Sequence, residues 1–193
     1  LKGKVFDTVY FGGGTPSVID EKLIVGCMNQ IRKCYLLADG AEVTIEINPG
    51  TVTKEKIETY KRAGINRFSV GLQAASDKLL EEIGRAHTVA DFVEACKLLK
   101  GENFNADIMI GLKGQTFSDV EKAVRLVNDC GAKHISMYAL TPEDGTPMYS
   151  DYLNGDLPDA DEVAEMYEKA YKLIETLGYK RYEVSNFAEE GYE

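Results

Sequence analysis

Five short runs rich in Val, Ile, Phe and Tyr recur along the chain, each followed by a segment whose apolar residues keep helical spacing. This alternation limits the fold more than any other feature. The strand candidates are residues 4–11, 42–48, 66–70, 105–110 and 133–140, all dense in β-branched and aromatic side chains. Between them, Asp20 caps a helix carrying Leu23, Ile24, Cys27 and Ile31, and Thr53 opens one that stops at Gly64. Ser76 begins a short helix closed by Gly84, and another runs from about Ala90 to Lys100 before Gly101 closes it. Ser118-x-x-Glu121 reads as a capping box before Val120, Val124 and Val127, and Asp159-x-x-Glu162 as another before Met166, Ala170, Leu173 and Leu177. Residues 182–185 form a last short strand candidate.

Strands joined in turn by helices imply parallel pairing through right-handed crossovers, so the chain folds as a β/α barrel, a partial barrel or an open doubly wound sheet. No linker or low-complexity stretch divides it, and residues 1–193 read as one domain. The irregular stretch 141–158, with Pro142, Gly145, Pro147, Gly155 and Pro158, reads as a lid or binding loop. A formal net charge of −10 argues against nucleic acid or an anionic membrane as the main partner and favours a small molecule. Charges interrupt every apolar run, so neither a transmembrane helix nor a signal peptide is expected, and the compartment reads as cytosolic.

The first strand runs straight into Gly12-Gly13-Gly14-Thr15-Pro16-Ser17, a loop whose bare backbone can approach a ligand closely. In a parallel sheet all carboxyl ends share one edge, where β/α proteins assemble their sites. That edge gathers the glycine loop, Glu46, Gln73 and Asp107, with Arg85 on a nearby loop. Together these could clamp a zwitterion: a carboxylate on Arg85, an ammonium on Glu46, and hydroxyls on Gln73 or Asp107. Each piece alone has a plainer reading. The glycines could form only a tight turn, and Glu46 and Asp107 could be solvated or paired with Arg67.

Cys27, Cys34, Cys96 and Cys130 show no metal-ligand spacing, and Cys27 and Cys34 are expected on one buried helix face. His87 and His134 lack the spacing of a metal helix, and His134 belongs at the opposite, structural edge of the sheet. No metal is assigned to these residues.

Taken in order, several motifs form a recognisable set: Phe11-Gly12-Gly13-Gly14-Thr15-Pro16-Ser17, Glu46-Ile47-Asn48-Pro49, Asn66-Arg67-Phe68-Ser69-Val70-Gly71-Leu72-Gln73 and Gly84-Arg85-Ala86-His87. Asp107-Ile108-Met109-Ile110-Gly111-Leu112, Gly114-Gln115-Thr116, His134 to Leu140 and Tyr182 to Ala188 continue it. With these the chain resembles the radical S-adenosylmethionine (SAM) proteins related to oxygen-independent coproporphyrinogen III oxidase. Residues 138–146 and 182–188 are more similar to the heme-chaperone branch than to the classical oxidase. The resemblance implies an α/β fold, a partial (β/α) barrel with a parallel sheet, lacking its first β/α unit in this chain, with SAM across the carboxyl edge. It implies Gly13, Gly14, Thr15 and Glu46 at the methionine amino end, Arg85 at its carboxylate, Gln73 and Asp107 at the ribose, and Ala139 near the adenine. It also implies a [4Fe-4S] cluster, heme or coproporphyrinogen III as further small molecules, and heme-acceptor proteins as partners. The family's CxxxCxxC cluster loop has no counterpart in residues 1–193 and is expected upstream of Leu1, so a chain of these residues alone is expected to be inert.

Overall fold

The computed structural model describes residues 3–193. The first half runs β1 (Val5–Phe11), a 3-10 turn (Pro16–Val18), α1 (Glu21–Cys34), β2 (Leu36–Ile47), α2 (Lys54–Arg62), β3 (Arg67–Gln73) and α3 (Asp77–Glu82). The second half runs α4 (Val89–Leu98), β4 (Phe104–Ile110), α5 (Phe117–Asp129), β5 (His134–Ala139), α6 (Pro147–Asn154), α7 (Ala160–Thr176), β6 (Lys180–Arg181) and β7 (Asn186–Ala188).

One seven-stranded sheet has the order β1-β2-β3-β4-β5-β7-β6. The pairs from β1 to β5 are all parallel, as the alternation predicts, while β7 runs antiparallel to β5 and β6 antiparallel to β7. The sheet curls into a half-barrel. Side chains from β1 (Tyr10) and β7 (Asn186), five strands apart in the sheet order, line one chamber on its concave side, which a flat sheet would keep apart.

Parallel sheets are ordinarily apolar on both faces, but here β2 to β5 alternate along most of their paired length. Val43, Ile45 and Ile47 of β2, Phe68, Val70 and Leu72 of β3, Phe104, Ala106, Ile108 and Ile110 of β4, and Ile135 and Met137 of β5 are buried in the core with helix residues such as Met28, Phe92, Leu99, Val124 and Ile174. Each such fully buried side chain contributes about 1.5–3 kcal/mol, so this single helix–sheet layer holds the fold. The intervening residues face the concave side and are polar: Thr44 and Glu46, Arg67 and Ser69, Asn105 and Asp107, His134, Ser136 and Tyr138.

Several local expectations are corrected. Cys27 and Cys34 are exposed, because α1 buries the stripe Ile24, Met28 and Ile31 and turns the Leu23–Cys27–Cys34 face outward. Cys96 is buried, with Cys130 half-buried and packed against the same core. The cap of α5 is Thr116 rather than Ser118: its amide and hydroxyl both donate to Asp119 Oδ2, at 3.0 and 2.7 Å, while Glu121 pairs with Arg125 one turn on at 2.8 Å. Residues 182–185 are a turn, not a strand. The Tyr182 amide donates to Asn186 O at 3.3 Å and the Ser185 amide to the Glu183 carboxylate at 3.1 Å, so the strand candidate becomes the link between β6 and β7. The lid stretch contains α6, tied to the loop after β4 by Lys113, which contacts Asp151 at 2.7 Å and Asp156 at 2.9 Å.

Candidate functional site

The loop after β1 is held by its last residue. Ser17 is fully buried and its Oγ accepts the Asn48 amide at 3.0 Å, so the glycine run is tied to the end of β2. The Thr51 hydroxyl donates to Asn48 O at 2.6 Å, which leaves Ser17 as the donor in the 2.6 Å contact between the two hydroxyls. Lys56 Nζ adds a 2.7 Å bond to Ser17 O.

With the loop in place, the Gly13 amide donates to Glu46 Oε2 at 3.1 Å and the Tyr10 hydroxyl to Glu46 Oε1 at 2.8 Å. Burial, followed by that bond to Glu46, pushes the Tyr10 phenol up to about 12, so Tyr10 remains a donor. Gly12 must be bare: a Cβ there would lie 2.6 Å from the Tyr10 ring and 2.9 Å from Glu46 Oε1.

Arg85 is aimed by the end of α3. Gly84, at φ +71°, allows the Gly84 amide to bond Glu81 O and the Arg85 amide to bond Leu80 O, both at 2.9 Å, turning the chain back over the sheet. His87, buried two residues later, donates from Nε2 to Leu72 O at 3.3 Å and pins the loop to the end of β3. Burial holds His87 below its usual pKa, so the ring is neutral.

Gln73 ends β3 at a register shift and takes φ +69°, the single non-glycine residue with positive φ among those described. Such a conformation costs about 1–3 kcal/mol and recurs where a side chain must be aimed at a site. Gln73 Oε1 accepts the Tyr138 hydroxyl at 2.9 Å. A Cβ on Gly71 would sit 2.9 Å from Gln73 Nε2 and 3.4 Å from an Arg85 guanidinium nitrogen, so both groups occupy the space that a side chain would fill.

Asp107, on β4, accepts Asn105 Nδ2 at 2.7 Å. Burial raises its pKa to about 6, with the Asn105 hydrogen bond pulling down and the Glu46 charge pushing up.

These groups line one cavity of about 200 Å³ at the carboxyl ends of the strands, formed by Gly14, Thr15, Glu46, Asn48, Gln73, Arg85, Asp107 and Tyr138 among others. Gly13 bounds it through Glu46. Ala139, by contrast, is exposed at the end of β5, opposite Ile110, and does not line the cavity. The plainer reading, in which Glu46 or Asp107 pairs with Arg67, does not hold: Arg67 pairs with Glu42 at 3.7 Å. Tyr10 and Ser69 were not singled out in the sequence. Their signal is the alternation in Thr8-Val9-Tyr10-Phe11 and Arg67-Phe68-Ser69-Val70, which puts a polar face on one side of each strand.

A family model described as the radical SAM superfamily matches residues 2–127. The chain belongs to the radical SAM superfamily. It is 35% identical over 195 residues to the heme chaperone HemW of Escherichia coli (strain K12), covering 100% of this chain and 51% of the relative. It is 36% identical over 192 residues to HemW of Bacillus subtilis (strain 168), covering 96% and 51%. The chain thus spans about half the length of these curated relatives. Coproporphyrinogen III oxidase (HemN) from Escherichia coli shares the fold, with a TM-score of 0.84 and 19% identity over 98% of this chain and 44% of that one.

Membership of this radical SAM superfamily implies SAM and a [4Fe-4S] cluster. The cavity fits the first. It sets a carboxylate, Glu46, and a guanidinium, Arg85, in one small space, and the Asn48 side-chain oxygen at its wall is buried without a partner. The described residues do not fit the second. No group of three His, Cys, Asp or Glu among them could hold a metal ion, and Cys96 and Cys130 lie in the helix–sheet core, away from the cavity. Among the described residues, no helix is long and apolar enough to cross a membrane.

Proposed function

We propose that this chain is the barrel core of a heme chaperone that binds SAM at the carboxyl edge of its sheet and takes heme as cargo for acceptor proteins in the cytoplasm. The observation that carries the SAM half is the opposed pair Glu46 and Arg85 in one cavity beside the Gly13-Gly14-Thr15 loop. A zwitterionic amino acid matches that charge order, ammonium to Glu46 and carboxylate to Arg85, with Gly13, Gly14 and Thr15 lining the methionine end. In this reading Gln73 and Asp107 take the two ribose hydroxyls. As a carboxylate, Asp107 accepts one; the Gln73 amide donates to the other while Tyr138 holds its oxygen. Ala139 would present a small apolar surface to the adenine from the rim.

SAM held there would supply the radical chemistry of this superfamily. The residues of this chain bind and orient it. His87 and the turn at Gly84 hold Arg85, and Ser17 holds the glycine loop.

The heme half rests on identity to heme chaperones of 35–36% across 96–100% of the chain. An oxidase acting on coproporphyrinogen III is the competing reading. Titration of hemin into the full chain, followed by absorbance, beside an anaerobic coproporphyrinogen assay separates the two. Stable hemin binding without turnover is expected, and turnover without stable binding would overturn the chaperone reading.

A further inference from the structure

A second chamber, of about 410 Å³, lies on the concave face toward the amino ends of the strands and shares Glu46, Ser69, Asp107 and Tyr138 with the first. Its far end is formed by Arg67, His134, Tyr182 and Asn186. Asn105 Nδ2 donates to Ser69 and Asp107, so its Oδ1 accepts Ser136 Oγ at 3.0 Å and His134 Nδ1 at 2.6 Å. His134 Nε2 therefore accepts the Tyr182 hydroxyl at 2.7 Å, and the ring is a fixed neutral tautomer.

Arg67 stands outside this closed chain. Its side chain is only 14% exposed, yet among the described residues its one charged contact is Glu42 at 3.7 Å, beyond hydrogen-bond distance, and Glu42 already accepts the Thr44 hydroxyl at 2.9 Å. A guanidinium carries five donors in a planar fork that matches a carboxylate, and here none of them has a hydrogen bond among the described residues. The Asn186 side chain in the same wall has no hydrogen bond among the described residues either. We propose that this end of the chamber binds a carboxylate group of a ligand, seated on the Arg67 fork with the Asn186 amide as a further donor. Tyr182, half-exposed beside Arg67, marks the mouth through which the rest of the ligand leaves the chamber. Glu46 and Asp107 at the other end disfavour a second anionic group, which orients the carboxylate toward Arg67.

The site does not depend on the heme reading, and its test is separate. Arginine side-chain NMR on the full chain would follow titration with sodium propionate and, in parallel, with neutral propionamide. A saturable shift of the Arg67 signal is expected with propionate and none with propionamide. Followed on the Asn186 side-chain amide signal, which both variants keep, Arg67→Gln should abolish saturation, and Arg67→Lys, a point charge without the fork, should weaken it at least about fivefold. Should the Arg67 variants fail to fold, Asn186→Ala serves, with weaker propionate binding expected. Absence of a saturable propionate shift in the unmodified protein, or equal response to propionamide, overturns the proposal. Hemin and hemin dimethyl ester then distinguish the source. Tighter hemin binding assigns the carboxylate to a tetrapyrrole, whereas propionate binding with no difference between the two assigns it to a smaller acid and leaves the site standing.

Discussion

The Gly13 amide donates to Glu46 Oε2 at 3.1 Å, joining residues 33 positions apart and fixing the glycine loop to the end of the neighbouring strand. The same carboxylate is the anion proposed to receive the SAM ammonium, so one charge both shapes the loop and takes the ligand. Hydrogen bonds to charged groups are worth about 1.5–3 kcal/mol. Glu46→Gln should therefore weaken SAM binding roughly 10- to 100-fold while leaving the helical circular dichroism intact. Equilibrium dialysis with SAM measures this, and unchanged affinity would remove Glu46 from the site.

Asp107 predicts a pH dependence. Its pKa rises from 3.8 to about 6 on folding, because burial penalises the charge. The folded state thus holds the proton more tightly, and the stability from this group is fully present below the unfolded value and lost as pH rises through about 6. Asp107→Asn should leave stability below pH ~3 almost unchanged and raise it by on the order of 2–3 kcal/mol above pH ~7. Urea unfolding across that range checks the sign, and a gain that grows toward acid would contradict it.

Two glycines should respond in opposite ways. Gly71→Ala puts a methyl 2.9 Å from Gln73 Nε2 and 3.4 Å from Arg85, displacing both from the cavity. SAM affinity should fall at least about tenfold, the loss of one good hydrogen bond to a charged group. Gly26→Ala, on α1 with nothing within 4 Å, should raise stability by about 0.5–1 kcal/mol with no change in SAM affinity.

Tyr138→Phe removes the donor to Gln73 Oε1, a residue only 2% exposed. The orphaned oxygen should cost about 1–3 kcal/mol in denaturant unfolding. A stability change below a few tenths would mean that water replaces the hydroxyl.

Thiol labelling separates the two cysteine classes. Cys27 and Cys34 are exposed and should react with iodoacetamide in the native protein, while buried Cys96 should react only after unfolding. Mass spectrometry of the labelled peptides reads this directly.

By itself the sequence determined the order of strands and helices from β1 to β5, the parallel pairing of those strands, and the gathering of Gly14, Thr15, Glu46, Gln73, Arg85 and Asp107 at one edge. Strand–helix alternation and the direction of parallel strands follow from local pattern and chain connectivity, which a sequence records directly. The tertiary structure alone decided what those strand faces enclose. Curling puts Tyr10 and Asn186 around one chamber, while long-range packing sets β7 antiparallel to β5, turns Cys27 and Cys34 to solvent and pairs Arg67 with Glu42. These outcomes depend on sheet curvature and on contacts between residues distant in the chain, where packing rather than propensity sets the balance.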